Sequence, residues 1–138
     1  LLIKLGIKTP SPLLQTFLTE AEQSLLSVTQ FRHLFRKIDA YRIQMLESLR
    51  EYDILLSPVA ATPAKKHGTT FAESKDMTFC MVHSLTGWPT TTIRCGTSND
   101  QLPINVQIAA KPWNDHLCLA MAQKIESITG GWQPPVLI

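Results

Sequence analysis

The sequence predicts an α/β fold, and three observations carry that expectation. Amphipathic runs with three-and-four spacing occur near residues 27–50 and 115–129. Short β-favouring runs lie between them, at residues 52–58, 90–95 and 104–110. Turn-forming Pro and Gly separate these runs, and no internal repeat occurs. The order is helix, strand, helix, strand, strand, helix, and 138 residues suit one domain of this kind.

Taken in order, the chain opens with Thr9-Pro10-Ser11-Pro12, after which no proline occurs until Pro58. Residues 14–26 are helix-permissive, with Thr19-Glu20-Ala21-Glu22 a candidate start. From Ser27 the pattern is helical: Phe31, Leu34, Phe35, Ile38, Met45, Leu46 and Leu49 share a face, and Arg32, Arg36, Lys37, Arg42, Glu47 and Arg50 fill the other. One long helix or two joined helices fit. Residues 52–58, an apolar run between a charge and Pro58, read as a buried strand. Residues 60–68 (AATPAKKHG) read as loop, and residues 76–85 as a short helix ending near Gly87.

The stretch HSLTGWPTTTIRCG, residues 83–96, then reads as a helix end, a Gly87-Trp88-Pro89 turn and a strand over residues 90–95. Thr97-Ser98-Asn99-Asp100 is turn chemistry. In residues 104–110, Ile104, Val106, Ile108 and Ala110 alternate with Asn105, Gln107 and Ala109, which predicts a strand. Two strands this close require a hairpin or a sheet completed by further chain. The last helix is predicted with a side-chain cap from Asn114 or Asp115, an apolar face of Leu117, Ala120, Met121, Ile125 and Ile128, and a left-handed stop at Gly130-Gly131.

Composition narrows the function classes. A net charge of +2 gives no electrostatic case for nucleic acid or a charged membrane surface. No long uncharged apolar run exists, so no membrane span is expected. The opening LLIKLGIK is followed by no small-residue cleavage site, which argues against a signal peptide. The missing initiator Met suggests a fragment or a processed product. Cys80, Cys95 and Cys118 are an odd, sparse set, which favours a reducing, cytoplasmic compartment over a disulfide framework.

Candidate chemistry is thin. Cys80 and His83 are three apart, which places them on one side of a helix and admits a thiolate–imidazole pair or half a zinc site. The same cysteine suits a small buried hydrophobe, and no CxxC or HxxxH completes a ligand set. His116 and Cys118 point to opposite sides of the last helix. No Gly-x-Ser-x-Gly elbow and no glycine-rich phosphate cradle occurs, and no carboxylate pair marks acid–base work. Lys65-Lys66-His67 reads as a solvated basic loop. We therefore expect no metal, no cofactor and no complete active site. Trp88 and Trp113 each stand beside a proline at a predicted element edge, where a ring packs in the core or lines a ligand cleft.

Three stretches together resemble the C-terminal part of the amidase signature family, which includes fatty acid amide hydrolases and the amidase subunits of glutamyl-tRNA amidotransferases. They are EYDILLSPVAATPAKKHG, SLTGWPTTTIRCG and LPINVQIAAKPWNDHLCLAMAQKIE. The last is similar to the fatty acid amide hydrolase branch at Pro112-Trp113, Asp115 and Leu117-Cys118-Leu119. The resemblance covers residues 27–132, with residues 1–26 a lead-in. Departures are Ser84 where the family has Asn, Arg94 where it has Pro, and Gln101 and Asn105 where it has Gly.

The resemblance implies a mixed β-sheet covered by helices and a parent reaction that hydrolyses amide C–N bonds. It implies a serine nucleophile, a second serine and a lysine upstream of the matched region. No Gly-Gly-Ser-Ser stretch occurs in residues 1–138, so no catalytic residue is assigned. This part of the family supplies sheet, helix cover and one wall of the substrate pocket, and Trp113 matches a position beside the acyl-binding channel. Trp113 and Trp88 are thus the substrate-pocket candidates. The implied partners are a small-molecule amide and the rest of the amidase domain. The rival reading is a non-catalytic split or degenerate amidase-like module that acts through self-association or a partner protein.

Overall fold

A computed structural model describes residue 6 and residues 11–69 and 77–134. The elements are α1 (Pro12–Gln23), α2 (Val28–Ser48), β1 (Ile54–Pro58), α3 (Thr78–Thr86), β2 (Thr90–Thr97), β3 (Pro103–Ala110) and α4 (Asp115–Thr129). The chain divides into two compact units, residues 1–37 and 38–138, with the division inside α2.

In the first unit, α1 starts earlier than Thr19. Ser11 caps it by accepting from the Leu14 N–H at 3.3 Å, and Pro12 fills the first turn, where a missing N–H costs nothing. The helical stretch breaks after Gln23, giving two helices. The restart is a capping box: the Ser27 N–H donates to Gln30 Oε1 at 2.9 Å while the Gln30 N–H donates to Ser27 Oγ at 3.3 Å. The Ser27-x-x-Gln30 spacing was readable and marks this boundary. Phe31 and Phe35 stack at 4.7 Å between ring centroids, one turn apart. Neither is buried, and no residue of α1 is.

The second unit is built on a three-stranded sheet in the order β1-β3-β2. Both pairings are antiparallel, with Leu56 opposite Ile108 and Thr91 opposite Ile108. Among the described residues this chain brings no parallel pair to the mixed sheet that the resemblance implies. β2 and β3 form the hairpin, closed by the Ser98 N–H donating to Leu102 O at 2.8 Å. β1 lies on the other side of β3, and α3 follows it in the chain on the way to β2.

Being central, β3 is covered on both faces, which period-2 alternation alone does not reveal. Ile108 and Ala110 face α4 and form the core with Cys118 and Ala122, flanked by Ile54, Ile93, Leu117, Met121 and Ile125. Gln107 and Ala109, on the opposite face, are buried as well. The Gln107 amide donates to Phe79 O of α3 at 3.3 Å and to Ser57 Oγ at 3.4 Å, which places α3 over that second face. Ile104, expected inward, lies at the strand's beginning and is exposed.

Two details of α4 differ from expectation. Asn114 is the N-cap residue but its side chain makes no capping bond; the first turn is closed by the Leu117 N–H donating to Asn114 O at 3.0 Å. The buried face runs through Leu117, Cys118, Met121, Ala122 and Ile125, rotated from the predicted one, so that Ala120 and Ile128 point outward. Small Cys118 and Ala122 permit close approach to the sheet. The stop is as predicted: Gly130 is left-handed at φ 80° and its N–H donates to Glu126 O at 3.0 Å.

Arg94 has a defined role. A bulge between Arg94 and Gly96 turns the end of β2, and the guanidinium donates to Gly131 O at 3.1 Å, to Gln133 Oε1 at 3.1 Å and to Thr97 Oγ1. Thr129 Oγ1 donates back to Arg94 O at 3.1 Å. The end of β2 is thereby fastened to the end of α4.

Candidate functional site

A cleft of about 530 Å³ opens at one end of the sheet. Its wall is residues 58–65, which leave β1 at Pro58, together with Met77 and Cys80 of α3 and residues 103–105 at the start of β3. Antiparallel pairing puts the end of β1 beside the start of β3, and Pro58 ends the strand because it lacks a ladder donor. The lining is mainly Pro, Ala, Val, Met and Ile, with Thr62, Lys65 and Asn105 as polar positions. An apolar concavity with few polar groups is what a small organic ligand requires. The Lys65 end of the basic loop is half-buried in this wall rather than wholly solvated.

Cys80 joins the two sides of the cleft: its thiol donates to Val59 O at 3.1 Å. His83, on the same side of α3, is only 5% exposed, and its Nδ1 has no hydrogen-bond partner. Burial holds its pKa below the ordinary 6.5. The thiol's bond to a backbone carbonyl and the orphaned Nδ1 give no activated thiolate–imidazole pair. Cys118 is buried, donates to Pro89 O at 3.4 Å, and has its thiol pKa pushed up by burial and by the Asp115 carboxylate. His116 is exposed, on the side away from Cys118. No group of three or more His, Cys, Asp or Glu among the described residues could hold a metal ion.

Neither Trp88 nor Trp113 lines this cleft. Trp88 is 5% exposed, packed in the turn between α3 and β2. Trp113 is 92% exposed and has φ 70°, a left-handed backbone that is costly for a bulky side chain. Both lie by the end of β3 at Ala110, whereas the cleft lies by its start at Pro103. The eight residues of the strand hold these ends roughly 23 Å apart at about 3.3 Å per residue. Sequence reasoning missed the cleft wall. Its signal was present, since a strand ending in Pro58 and followed by the small residues Ala60, Ala61 and Ala64 leaves an open strand end.

Comparison with known proteins bears on the family and the fold. The Amidase family model matches residues 9–119. The chain is similar to human fatty-acid amide hydrolase 2, 33% identical over 97 residues, which is 70% of this chain and 18% of that protein. It is similar to fatty-acid amide hydrolase 2-B of Danio rerio, 32% identical over 105 residues, covering 76% of this chain and 20% of the relative. A solved amidase crystal structure superposes with a TM-score of 0.77 at 22% identity, over 94% of this chain and 31% of the other. The chain thus spans about a fifth of the length of these curated relatives. On these matches, together with the helices and small sheet described above, the chain belongs to the amidase family.

Proposed function

We propose that this chain is the C-terminal part of an amidase that hydrolyses amide C–N bonds, supplying sheet, helix cover and one wall of the substrate pocket. The observation that carries the proposal is the apolar cleft of about 530 Å³ at the open end of β1, bounded by Met77 and Cys80. Such a wall takes an uncharged, apolar portion of an amide, and its Cys80 thiol is bonded to a backbone carbonyl rather than paired with a base. The serine nucleophile, second serine and lysine belong to the remaining domain. Trp113 presents an uncovered ring at the other end of the sheet, outside this wall, so its assignment to the pocket requires a substrate that extends along the sheet to that end. Trp88 is buried, with 5% exposure left for a ligand.

A cytoplasmic location is part of the same proposal and rests on three free cysteines. No described helix is long and apolar enough to cross a membrane.

The test is an amide-proton NMR titration of the chain with a short aliphatic amide such as hexanamide. The expected shifts fall on Val59, Thr62, Met77, Cys80 and Ile104, and the amide is recovered intact. Shifts confined to residues outside the cleft overturn the pocket-wall assignment. Hydrolysis abolished by changing one residue of this chain overturns the division of labour.

One observation favours a second reading, a non-catalytic module that associates with itself or a partner. Among the described residues the outer edges of β1 and β2 are unpaired, and Phe17, Phe31, Phe35 and Leu56 are exposed. Concentration-dependent dimerisation in sedimentation, with no amide binding, selects it.

A further inference from the structure

Among the buried titratable groups of the second unit that the proposed function does not use is His83. Its ring is buried on the inner face of α3, and Nδ1 is closed off from solvent without a partner. A neutral imidazole tolerates this if Nδ1 is the unprotonated nitrogen, whereas a second proton would place an unpartnered donor and a full charge in the same space. The described surroundings offer no counter-charge. From α2, Arg42 reaches α3 and donates to Leu85 O at 3.0 and 3.2 Å, and the nearby Asp39 is already paired with Arg42 at 3.3 Å. The loop after β1 carries Lys65, Lys66 and His67, while β1 and β3 carry no ionisable side chain. On α3 itself the other titratable group is Cys80, whose thiol is bonded to Val59 O.

The helix that holds His83 also walls the cleft. Met77 stands at its N-cap and Cys80 in its first turn, and both line the cavity. Among the polar ties between α3 and its neighbours are Cys80 to Val59 O, Gln107 to Phe79 O and Arg42 to Leu85 O. Directly after it, Gly87 turns the chain and Trp88 packs with 5% exposure, so displacement of α3 pulls on a buried tryptophan.

We propose that His83 is an acid-sensitive latch: uptake of a proton by its imidazole unseats α3 from the sheet and opens the cleft wall formed by Met77 and Cys80. Neutral His83 keeps the helix down. The proton comes from solvent, and its release on return to neutral pH reseats the helix, so no covalent change is involved. The device stands apart from amide hydrolysis and is read without it.

The experiment is hydrogen–deuterium exchange of the chain, resolved to the α3–Trp88 region, from pH 7.5 to 5.0 and corrected for the intrinsic rate. Tryptophan emission is followed in parallel. As pH falls from 6.5 toward the lowered value of His83, the open-to-seated ratio rises by up to about tenfold per pH unit. Emission shifts red as Trp88 becomes wet, since Trp113 and Trp132 are already exposed. His83→Gln, neutral at every pH, abolishes both changes, while His33, His67 and His116 are left in place. If His83→Gln fails to fold, the ring-proton titration of His83 in the parent chain replaces it. His83 must then titrate below the ordinary 6.5 and in step with the exchange. Unchanged exchange in the α3–Trp88 region across this range, or an identical transition in His83→Gln, overturns the proposal.

Discussion

Replacing Arg94 by Ala tests whether the guanidinium fastens β2 to the end of α4. The substitution removes three hydrogen bonds, to Gly131 O, Gln133 Oε1 and Thr97 Oγ1, and leaves the bond from Thr129 Oγ1 to Arg94 O in place. A hydrogen bond from a charged donor contributes about 1.5–3 kcal/mol when shielded. Here only the bond to Gly131 O is partly buried, and the other two are exposed, so solvent competes for them. The net loss is about 1–2 kcal/mol. For a cooperative unit the size of residues 38–138 that corresponds to a fall in Tm of roughly 4–10 °C. Thermal and urea unfolding by circular dichroism measure it. Arg94→Lys keeps the charge but not the planar fork, and recovers less than half of the loss. A loss below about 0.5 kcal/mol for Arg94→Ala refutes the reasoning and makes the contacts incidental.

Further outcomes follow from the core and the buried groups. Ile108→Ala empties a site with 0% exposure between β3 and α4 and costs about 2–5 kcal/mol in urea unfolding; a cost under about 1 kcal/mol contradicts the core assignment. Thiol labelling at pH 8 modifies exposed Cys95 first and Cys118 only on unfolding, because Cys118 is buried with a raised pKa, and simultaneous labelling of the two contradicts that placement. His83 has a lowered pKa when folded, so its contribution is fully retained above the unfolded value of 6.5 and lost as pH falls from there toward the folded value. The urea midpoint therefore drops between pH 7.5 and 5.5, and His83→Gln drops less; equal drops contradict the assignment.

How much of this was legible depends on which interaction decides each element. Local signals settled α4's end, because Gly130-Gly131 is a backbone requirement readable from two residues. Local chemistry also lay behind the break at Ser27, where the helical pattern was read to begin and one long helix or two were both left open. Burial was misassigned where tertiary placement decides. Gln107 looks like a solvent-facing residue until β3 is known to be the middle strand, with α3 supplying an acceptor at Phe79 O. On α4 the small residues Cys118 and Ala122, rather than Ala120 and Ile128, face the sheet, because close packing selects size as well as hydropathy.

The site follows the same pattern. The pairing of cleft residues 58–65 with Met77 and Cys80 is long-range, and nothing in their spacing announces it. Trp88 and Trp113 look equivalent in sequence, each beside a proline, yet one is packed and the other stands in solvent. What separates them is the direction of the chain: Trp88 follows a helix into the layer, while Trp113 sits on a left-handed turn that throws its ring outward. Arg94 was visible as a departure from the family pattern, but its partners at Gly131 and Gln133 were not.

The central claim is that this chain shapes a wall of an amide pocket while the nucleophile lies outside residues 1–138. Incubation with a fluorophosphonate that phosphonylates activated serines, followed by intact mass measurement, tests it most directly. The account predicts an unchanged mass, since the wall it assigns to this chain contains no activated serine. A stoichiometric adduct on one serine of this chain, lost on unfolding before treatment, would contradict it.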